Sequence, residues 1–346
     1  MNYLSTLGKY LDQPYLVGSF SKAVPAIMLG GAGMITAHKV SDAKPEDKRK
    51  VLIQNLCILT GTMGSALVAT RGIKKIGLKG LSQNINLNQL KIKNSQIIDE
   101  YISKNSVSEN SEFILKKAKN KILKFNEVRT LSKELEKSRN GKFLLKELIP
   151  EPENVSSKEI FGEIKRLSLM GLVPVLGGIA GGVVGDSITD SNWKNKIPNK
   201  IKEGAYQYLA NIFLCNVGAG IALGIMEKAK ITSKATRALG MVAGIMLTGI
   251  IGGSAIANVI SKKFIDPCFS KENLKSECDS FTRSDLYSER HPEAIDIGLH
   301  VDDIATVAVL SGLKWIEPAL PVLYSISGYR AGIGYRNGNN CNGIKK

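Results

Sequence analysis

The chain has 346 residues and a formal net charge of +16 at pH 7, a length that suits either two soluble domains or one membrane bundle with attached loops. Hydrophobic residues make up 43% and aromatic residues 6% of the chain. A mean hydropathy of −0.02 is low for a protein that lies entirely in lipid, so the distribution of charge along the chain must decide between these two architectures.

Five windows of the chain contain no Asp, Glu, Lys or Arg. A helix needs about 20 residues to cross about 30 Å of hydrocarbon, so the last four windows are long enough and the first is marginal. Lys and Arg flank most of the windows closely, where they can anchor helix ends at the headgroups. The sequence predicts an all-α, polytopic integral membrane protein with five or six spans; a soluble protein with buried apolar helices is the alternative. The windows are Ala23–His38, Val51–Thr70, Leu167–Gly185, Gly204–Met226 and Ala238–Ser261.

These windows divide the chain into five parts. The polar start before the first apolar run favours a retained hairpin over a cleaved signal peptide. The parts are an N-terminal segment with the first hairpin (1–71), a basic insert (72–166), spans three to five (167–261), a polar loop with two cysteines (262–302) and a broken final membrane segment with a polar tail (303–346).

The first hairpin resembles the hairpin that follows the insert. Val24-Pro25 and Val173-Pro174 each precede a glycine-rich run, and the second arms also match at several positions. Internal repeats are common in transporter folds. Duplication and shared apolar composition both explain the match.

The insert contains most of the basic excess and an amphipathic pattern. Apolar residues recur at steps of three and four from Ile114 to Leu135, which predicts one helix that ends near Asn140-Gly141. Its basic face either lies on an anionic membrane surface or is the solvated side of a packed helix. Because no nucleic-acid motif is present, we expect anionic lipid headgroups rather than specific nucleic acid as the partner.

Glycine occurs at four-residue spacing in several predicted spans. In water each interior glycine costs a helix about 0.5–1 kcal/mol relative to alanine. In lipid, small residues at this spacing let two helices approach closely. We expect these glycines to pack helices together and to favour a homo-oligomer: Gly177, Gly181, Gly185, Gly220, Gly224, Gly249 and Gly253.

Sequence motifs of catalysis are absent. The chain has no phosphate-binding loop, dinucleotide fingerprint, CxxC, HExxH or GxSxG, and only three histidines. The segment His291–Asp303 has metal-ligating residue types, but acidic residues in the first turn of a helix explain it better. The sequence predicts no enzyme, no cofactor and no metal.

The last apolar region contains a charged pair. Lys314 and Glu317 would share a face of a continuous helix, and Pro318 and Pro321 would then disturb its backbone. Broken membrane helices often mark substrate sites, so these residues, with Asp186 in the third window, form a possible transport path. Two half-length segments that meet at a hydrated turn are the alternative.

Two functional hypotheses follow. The first is a non-enzymatic scaffold or membrane-shaping protein that oligomerises through its glycine faces, and the second is a small-solute or ion transporter. The scarcity of polar residues in the other spans favours the first. We expect a bacterial inner-membrane location with a cytoplasmic N-terminus. The loop with Cys268 and Cys278 then lies outside, where the two cysteines either form a disulfide or remain free.

Overall fold

The computed structural model describes residues 3–75, 86–149, 157–231, 234–265, 267, 307–308 and 315–334. Every regular element in these ranges is a helix and none is a strand, which confirms the all-α prediction. The α-helices are α1 (Tyr3–Leu11), α2 (Pro14–Asp42), α3 (Lys48–Lys75), α4 (Leu87–Lys104), α5 (Glu109–Ala118), α6 (Phe125–Leu135), α7 (Arg139–Leu148), α8 (Ser157–Thr189), α9 (Ile197–Tyr208), α10 (Leu214–Lys228), α11 (Lys234–Ile245), α12 (Ser254–Ile260) and α13 (Leu320–Ile333).

Shorter turns connect some of these helices. In the described ranges, three π-helical segments continue the helix before them without a break. Two 3₁₀ turns precede α9 and α13. The π segments are Leu209–Phe213, Met246–Gly253 and Ser261–Ile265, and the 3₁₀ turns are Trp193–Lys196 and Glu317–Ala319.

Among the residues that the structure describes, four helices are long and apolar enough to cross a membrane, which indicates an integral membrane protein. They include the first four predicted windows almost entirely. The fifth window folds as α11, a π segment and α12 in direct succession. The candidate spans are Pro14–Asp42, Lys48–Ala69, Phe161–Thr189 and Trp193–Lys228.

The described residues form two compact units. Unit 1 contains 3–25, 86–149, 308 and 315–319, and unit 2 contains 26–75, 157–231, 234–265, 267, 307 and 320–334.

Unit 1 is built around the apolar faces of α4 to α7. Each of these helices packs on its neighbours, and α4 also packs on α7. The apolar positions that the sequence places on one helical face are mostly buried here, and they include Ile114, Val128 and Leu131. Within the described residues, the apolar side of the insert is therefore covered by protein.

The predicted single helix of the insert is wrong, because three helices occupy that stretch. α5 ends at Ala118, and α6 starts only at Phe125. Ser138 then caps α7, since its Oγ accepts a hydrogen bond of 2.9 Å from the N–H of Gly141. Asn140-Gly141 therefore begins a helix instead of ending one.

In unit 2, α8 packs on α3 along one face and on α13 along another. A Cβ at Gly177 would overlap the backbone carbonyl of Gly61 in α3, and a Cβ at Gly181 would overlap that of Cys57. On the other face, a Cβ at Gly178 or Gly182 would overlap carbonyls of α13. Glycine thus lets three helix backbones meet at α8.

The remaining predicted packing glycines differ in their surroundings. Gly185 faces the start of α3, near the Cα of Gln54, while Gly249 faces Cys215 and Gly253 faces Ala210. Gly220 is buried in α10. A Cβ at Gly224 would meet nothing within 4 Å, so no described helix packs closely there.

Candidate functional site

A buried ion pair joins the end of α8 to the start of α9. Lys200 Nζ lies 2.9 Å from Asp186 Oδ2, and both side chains are almost completely buried. Gln54 of α3 donates a hydrogen bond of 2.7 Å to Asp186 Oδ1. Lys200 also donates to the carbonyl oxygen of Gly332 at 2.5 Å, in the last turn of α13. Asp186 and Lys200 therefore connect four helices at one end of unit 2.

The sequence explains locally why Lys200 lies there. Pro198 is tolerated in the first turn of α9, because its missing N–H would have no helical partner at that position. α13 ends at Ile333, and the next residue, Gly334, has a positive φ of 71° that suits glycine. A lysine beside the free carbonyls of that helix end is favoured by the helix dipole.

A ladder of hydrogen-bonded side chains starts at Glu203, three residues after Lys200 in α9. Gln207 Nε2 donates to Glu203 Oε1 at 2.8 Å, and Asn211 Nδ2 donates to Gln207 Oε1 at 2.9 Å. The relative exposures of these three residues are 0%, 0% and 3%. Arg330 of α13 approaches Glu203 to 3.8 Å. Four-residue spacing places the three ladder residues on one face of the helix.

A π turn extends this polar face into α10. In the segment Leu209–Phe213 the N–H of Leu214 bonds to the carbonyl of Leu209, five residues back. The wider turn gives Asn216 the position that a regular α-helix would give to the residue before it. Asn216 is buried and donates to Ser168 of α8 at 3.5 Å.

Charged residues also lie near the far end of this face. Arg166 and Glu163 of α8 form an ion pair, and Arg166 is almost fully buried. Ser168 and Asp186 are 18 residues apart in α8, which is about 27 Å along a helix. We name the set Asp186, Lys200, Glu203, Gln207, Asn211, Asn216 and Ser168 the polar track; it extends over nearly the thickness of a hydrocarbon core.

The polar track is adjoined by surface charges at its Asp186 end. Lys196 Nζ lies 2.7 Å from Asp190 Oδ2 and 4.0 Å from Asp186 Oδ1. Lys50 Nζ lies 3.9 Å from Asp190. The hydrogen bond from Lys196, together with one from the N–H of Asn192, holds the pKa of Asp190 below its usual value. Asp190 is therefore ionised at neutral pH, and a chain of alternating charges leads from the surface to Asp186.

The structure places only part of the predicted transport path. Asp186 belongs to the polar track. Glu317 is buried and starts a 3₁₀ turn in unit 1, while Lys314 lies outside the described residues, as do Cys268 and Cys278 and the segment 291–303. The prediction of a Lys314–Glu317 helix face is thus untested. Pro318 lies in that 3₁₀ turn, and Pro321 lies in the first turn of α13.

Comparison of this chain with protein-family models, curated proteins and solved structures gives no match. Its functional interpretation therefore depends on its own residues.

Proposed function

We propose that the protein is a membrane transporter of protons, and that the polar track is its path. The observation that supports this proposal is the continuous hydrogen bonding from Glu203 through Gln207 to Asn211, inside a candidate membrane span. The carboxylates of Asp186 and Glu203 can take up and release a proton, whereas the amides of Gln207 and Asn211 would only orient the water molecules that carry it, so this cargo needs no wide pore.

The cost of these residues in lipid also supports transport. A charged side chain at the centre of a membrane helix costs about 2.5–3.5 kcal/mol on insertion scales, and such residues commonly mark ion pathways and proton relays. A bundle that needs only to pack can use small and apolar residues, as α3 and α8 do at Gly61 and Gly177. Glu203 is buried inside the span Trp193–Lys228, and Asp186 and Lys200 are buried nearer the helix ends; packing alone requires none of these charges.

Proton flux in proteoliposomes tests this proposal. Vesicles with an internal pH-sensitive dye receive a potassium diffusion potential, and the rate of internal pH change is measured. Gln207→Met retains the length and charge of the side chain but removes its donor and acceptor. We expect wild-type protein to raise the flux above that of protein-free vesicles and Gln207→Met to return it to that background. Gln89→Met, at an exposed position of α4, is the matched control and should conduct as wild type does.

Two outcomes would overturn proton transport. One is wild-type flux equal to that of protein-free vesicles at either sign of the potential. The other is undiminished flux in Gln207→Met, because the ladder cannot then be the path.

A scaffold that associates through α2 is the second candidate function. Only 11% of the apolar window of α2 is buried, and added Cβ atoms at Gly30, Gly31 and Gly33 would meet nothing within 4 Å. Small residues that face lipid alone offer a close-contact surface to a helix of another copy. This feature fits an oligomer, whereas the glycines of α8 already face helices of the same chain.

The oligomeric state in detergent, measured by light scattering, tests the scaffold. We expect Gly31→Leu to shift an oligomer toward the monomer, because the larger side chain keeps the helices apart. Ile27→Leu, an exposed position on the same helix, conserves volume and should leave the oligomer intact. A monomeric wild-type protein, or an unchanged oligomer in Gly31→Leu, would contradict this candidate.

A further inference from the structure

An open basic groove lies on unit 1, where the chain turns from α5 into α6. Its volume is about 700 Å³. Four lysines and one carboxylate are among its lining residues, which are Phe113, Lys116, Lys117, Asn120, Lys121, Lys124 and Glu127. We name this feature the lysine groove; it is independent of the polar track and of the proposed transport.

The pairing of its charges leaves two lysines for a ligand. Lys117 Nζ lies 2.6 Å from both carboxylate oxygens of Glu127, and Lys116 lies 2.5 Å from Glu112. Lys121 and Lys124 are exposed and form no ion pair within the described part of the chain. Lys116 and Lys117 are therefore neutralised by carboxylates, and Lys121 and Lys124 supply the net positive charge of the groove.

Glu127 offsets one positive charge of the groove, chiefly that of Lys117 and in part that of Lys124. Partial burial acts to raise its pKa, but the hydrogen bonds from Lys117 and from the N–H of Lys124 lower the pKa overall. Both of its oxygens are thus occupied by groups of the protein.

The start of α6 places Lys124 at the lysine groove. Lys124 occupies the N-cap position, where a Ser, Thr, Asp or Asn would accept bonds from the first-turn N–H groups. An ammonium group has no acceptor, so Lys124 itself makes no side-chain cap. Glu127 in the first turn already offsets the positive end of the helix dipole, so Lys121 and Lys124 supply the attraction for an anion.

Phe113 decides which kind of anion fits. Its side chain is 67% exposed at the edge of the lysine groove, although the neighbouring Ile114 and Leu115 are buried. An exposed aromatic ring beside lysines is typical of surfaces that contact lipid, where the ring meets acyl chains and the ammonium groups meet phosphates. A soluble phosphate would use the lysines but not the ring.

We propose that the lysine groove binds the phosphate headgroup of an anionic membrane lipid, with Lys121 and Lys124 on the phosphate and Phe113 against the lipid chains. Each lysine near an anionic surface contributes about fivefold to affinity, so the loss of both weakens binding about 30-fold. Salt should weaken the interaction, since both lysines are exposed.

The test uses the full chain in nanodiscs of phosphatidylcholine alone, titrated with soluble short-chain phosphatidylglycerol in a calorimeter. We expect saturable binding by wild type and about 30-fold weaker binding by the double variant Lys121→Gln/Lys124→Gln. Lys137→Gln/Lys142→Gln, which changes two exposed lysines of unit 1 outside the groove, is the charge-matched control and should bind as wild type does. Glu127→Gln should bind about fivefold more tightly, because it releases Lys117; this gain cannot result from misfolding.

Separate titrations with inorganic phosphate and with a short RNA duplex distinguish the sources. Weak phosphate binding in all variants supports the lipid, because only the lipid can use Phe113. Phosphate that binds as tightly as phosphatidylglycerol, with the same dependence on Lys121 and Lys124, supports the anion site but overturns the lipid as its ligand. Tighter lysine-dependent binding of RNA overturns the lipid as well. Equal lipid affinity in the groove and control variants overturns the site itself.

Discussion

At the scale of single residues, Gly181 is a position where a side chain would separate two helices of the same chain. A Cβ there would overlap the carbonyl of Cys57 in α3. We expect Gly181→Leu to destabilise the fold by at least about 1–3 kcal/mol, the usual cost of overpacking. Thermal unfolding in detergent measures this effect. Gly64→Leu, at a position of α3 where a Cβ would meet nothing within 4 Å, is the control. If Gly181→Leu instead unfolds at the wild-type temperature but loses an oligomer, this face of α8 lies between two copies of the chain.

Asp190 is a residue whose ion pairs should make stability depend on pH. Its folded pKa is lower than the ordinary value of 3.8, chiefly through the hydrogen bond with Lys196. A lowered folded pKa stabilises the fold above the unfolded value, and this contribution disappears as the pH falls through the folded pKa. We therefore expect Asp190→Asn to melt at a lower temperature than wild type at neutral pH. In acid the two melting temperatures should approach each other.

Melting curves recorded from neutral to acidic pH check this expectation. Ser191→Ala, which changes no charge beside Asp190, should follow the wild-type curve throughout. A difference between wild type and Asp190→Asn that stays constant down to strong acid would refute the electrostatic explanation.

At the scale of elements, α6 is held by its apolar face within unit 1. Leu131 is completely buried, so Leu131→Ala should cost about 2–5 kcal/mol. Hydrogen exchange of α6 in the full chain, without anionic lipid, should be slow in wild type and fast in Leu131→Ala. Ile92→Ala in α4, where the side chain is 60% exposed, is the control and should retain protection. Rapid exchange of α6 in wild type would mean that this helix forms only on a membrane.

The apolar period of the insert could be predicted from the sequence, but its division into helices could not. Ala118, Val128 and Leu135 are buried as their spacing predicts. The turn between α5 and α6 contains neither Gly nor Pro, only lysines, an asparagine and two apolar residues. Local propensity does not mark such a turn. Leu123 is 2% exposed there, while Ile122 is 37% exposed, and the side chain of Gln13 bonds to both the N–H and the carbonyl of Leu123. Contacts distant in the chain therefore hold the turn.

The polar track shows a different limit of sequence reasoning. Windows free of charge define a span that starts at Gly204, whereas α9 already starts at Ile197. A charge-free window leaves out Lys200 and Glu203 because they are charged, although the fold buries both side chains. The four-residue spacing of Glu203 to Gln207 and Asn211 is visible in the sequence. Asp186, the partner of Lys200, and Arg330, which approaches Glu203, belong to other helices, so only the folded bundle brings these residues together.

At the scale of the whole molecule, the ion pairs of unit 2 indicate which helix ends lie together. Gln54 near the start of α3 contacts Asp186 near the end of α8, and Lys50 lies near Asp190. The chain then returns through α9 and α10, since Asn216 meets Ser168. The loop at Asp190 and the turn after α10 therefore lie at opposite ends of the hairpin formed by α8 and α9–α10.

This arrangement predicts that the two ends lie on opposite sides of the membrane. The span Trp193–Lys228 is continuous through its π turn and is long enough to cross once. Ser191 precedes it, Ala229 follows it, and both residues are exposed.

Thiol labelling tests this prediction. In a background where the 5 native cysteines are alanine, we introduce Ser191→Cys or Ala229→Cys and treat sealed vesicles of one orientation with a membrane-impermeant thiol reagent. One of the two cysteines should react at once and the other only after permeabilisation, whichever orientation the protein has. Gln54→Cys, near the polar track within the span Lys48–Ala69, reports on reagent access to the helices themselves and should react slowly in both cases. If Ser191→Cys and Ala229→Cys react equally in sealed vesicles, α9 and α10 do not cross the membrane, and the polar track cannot connect its two sides.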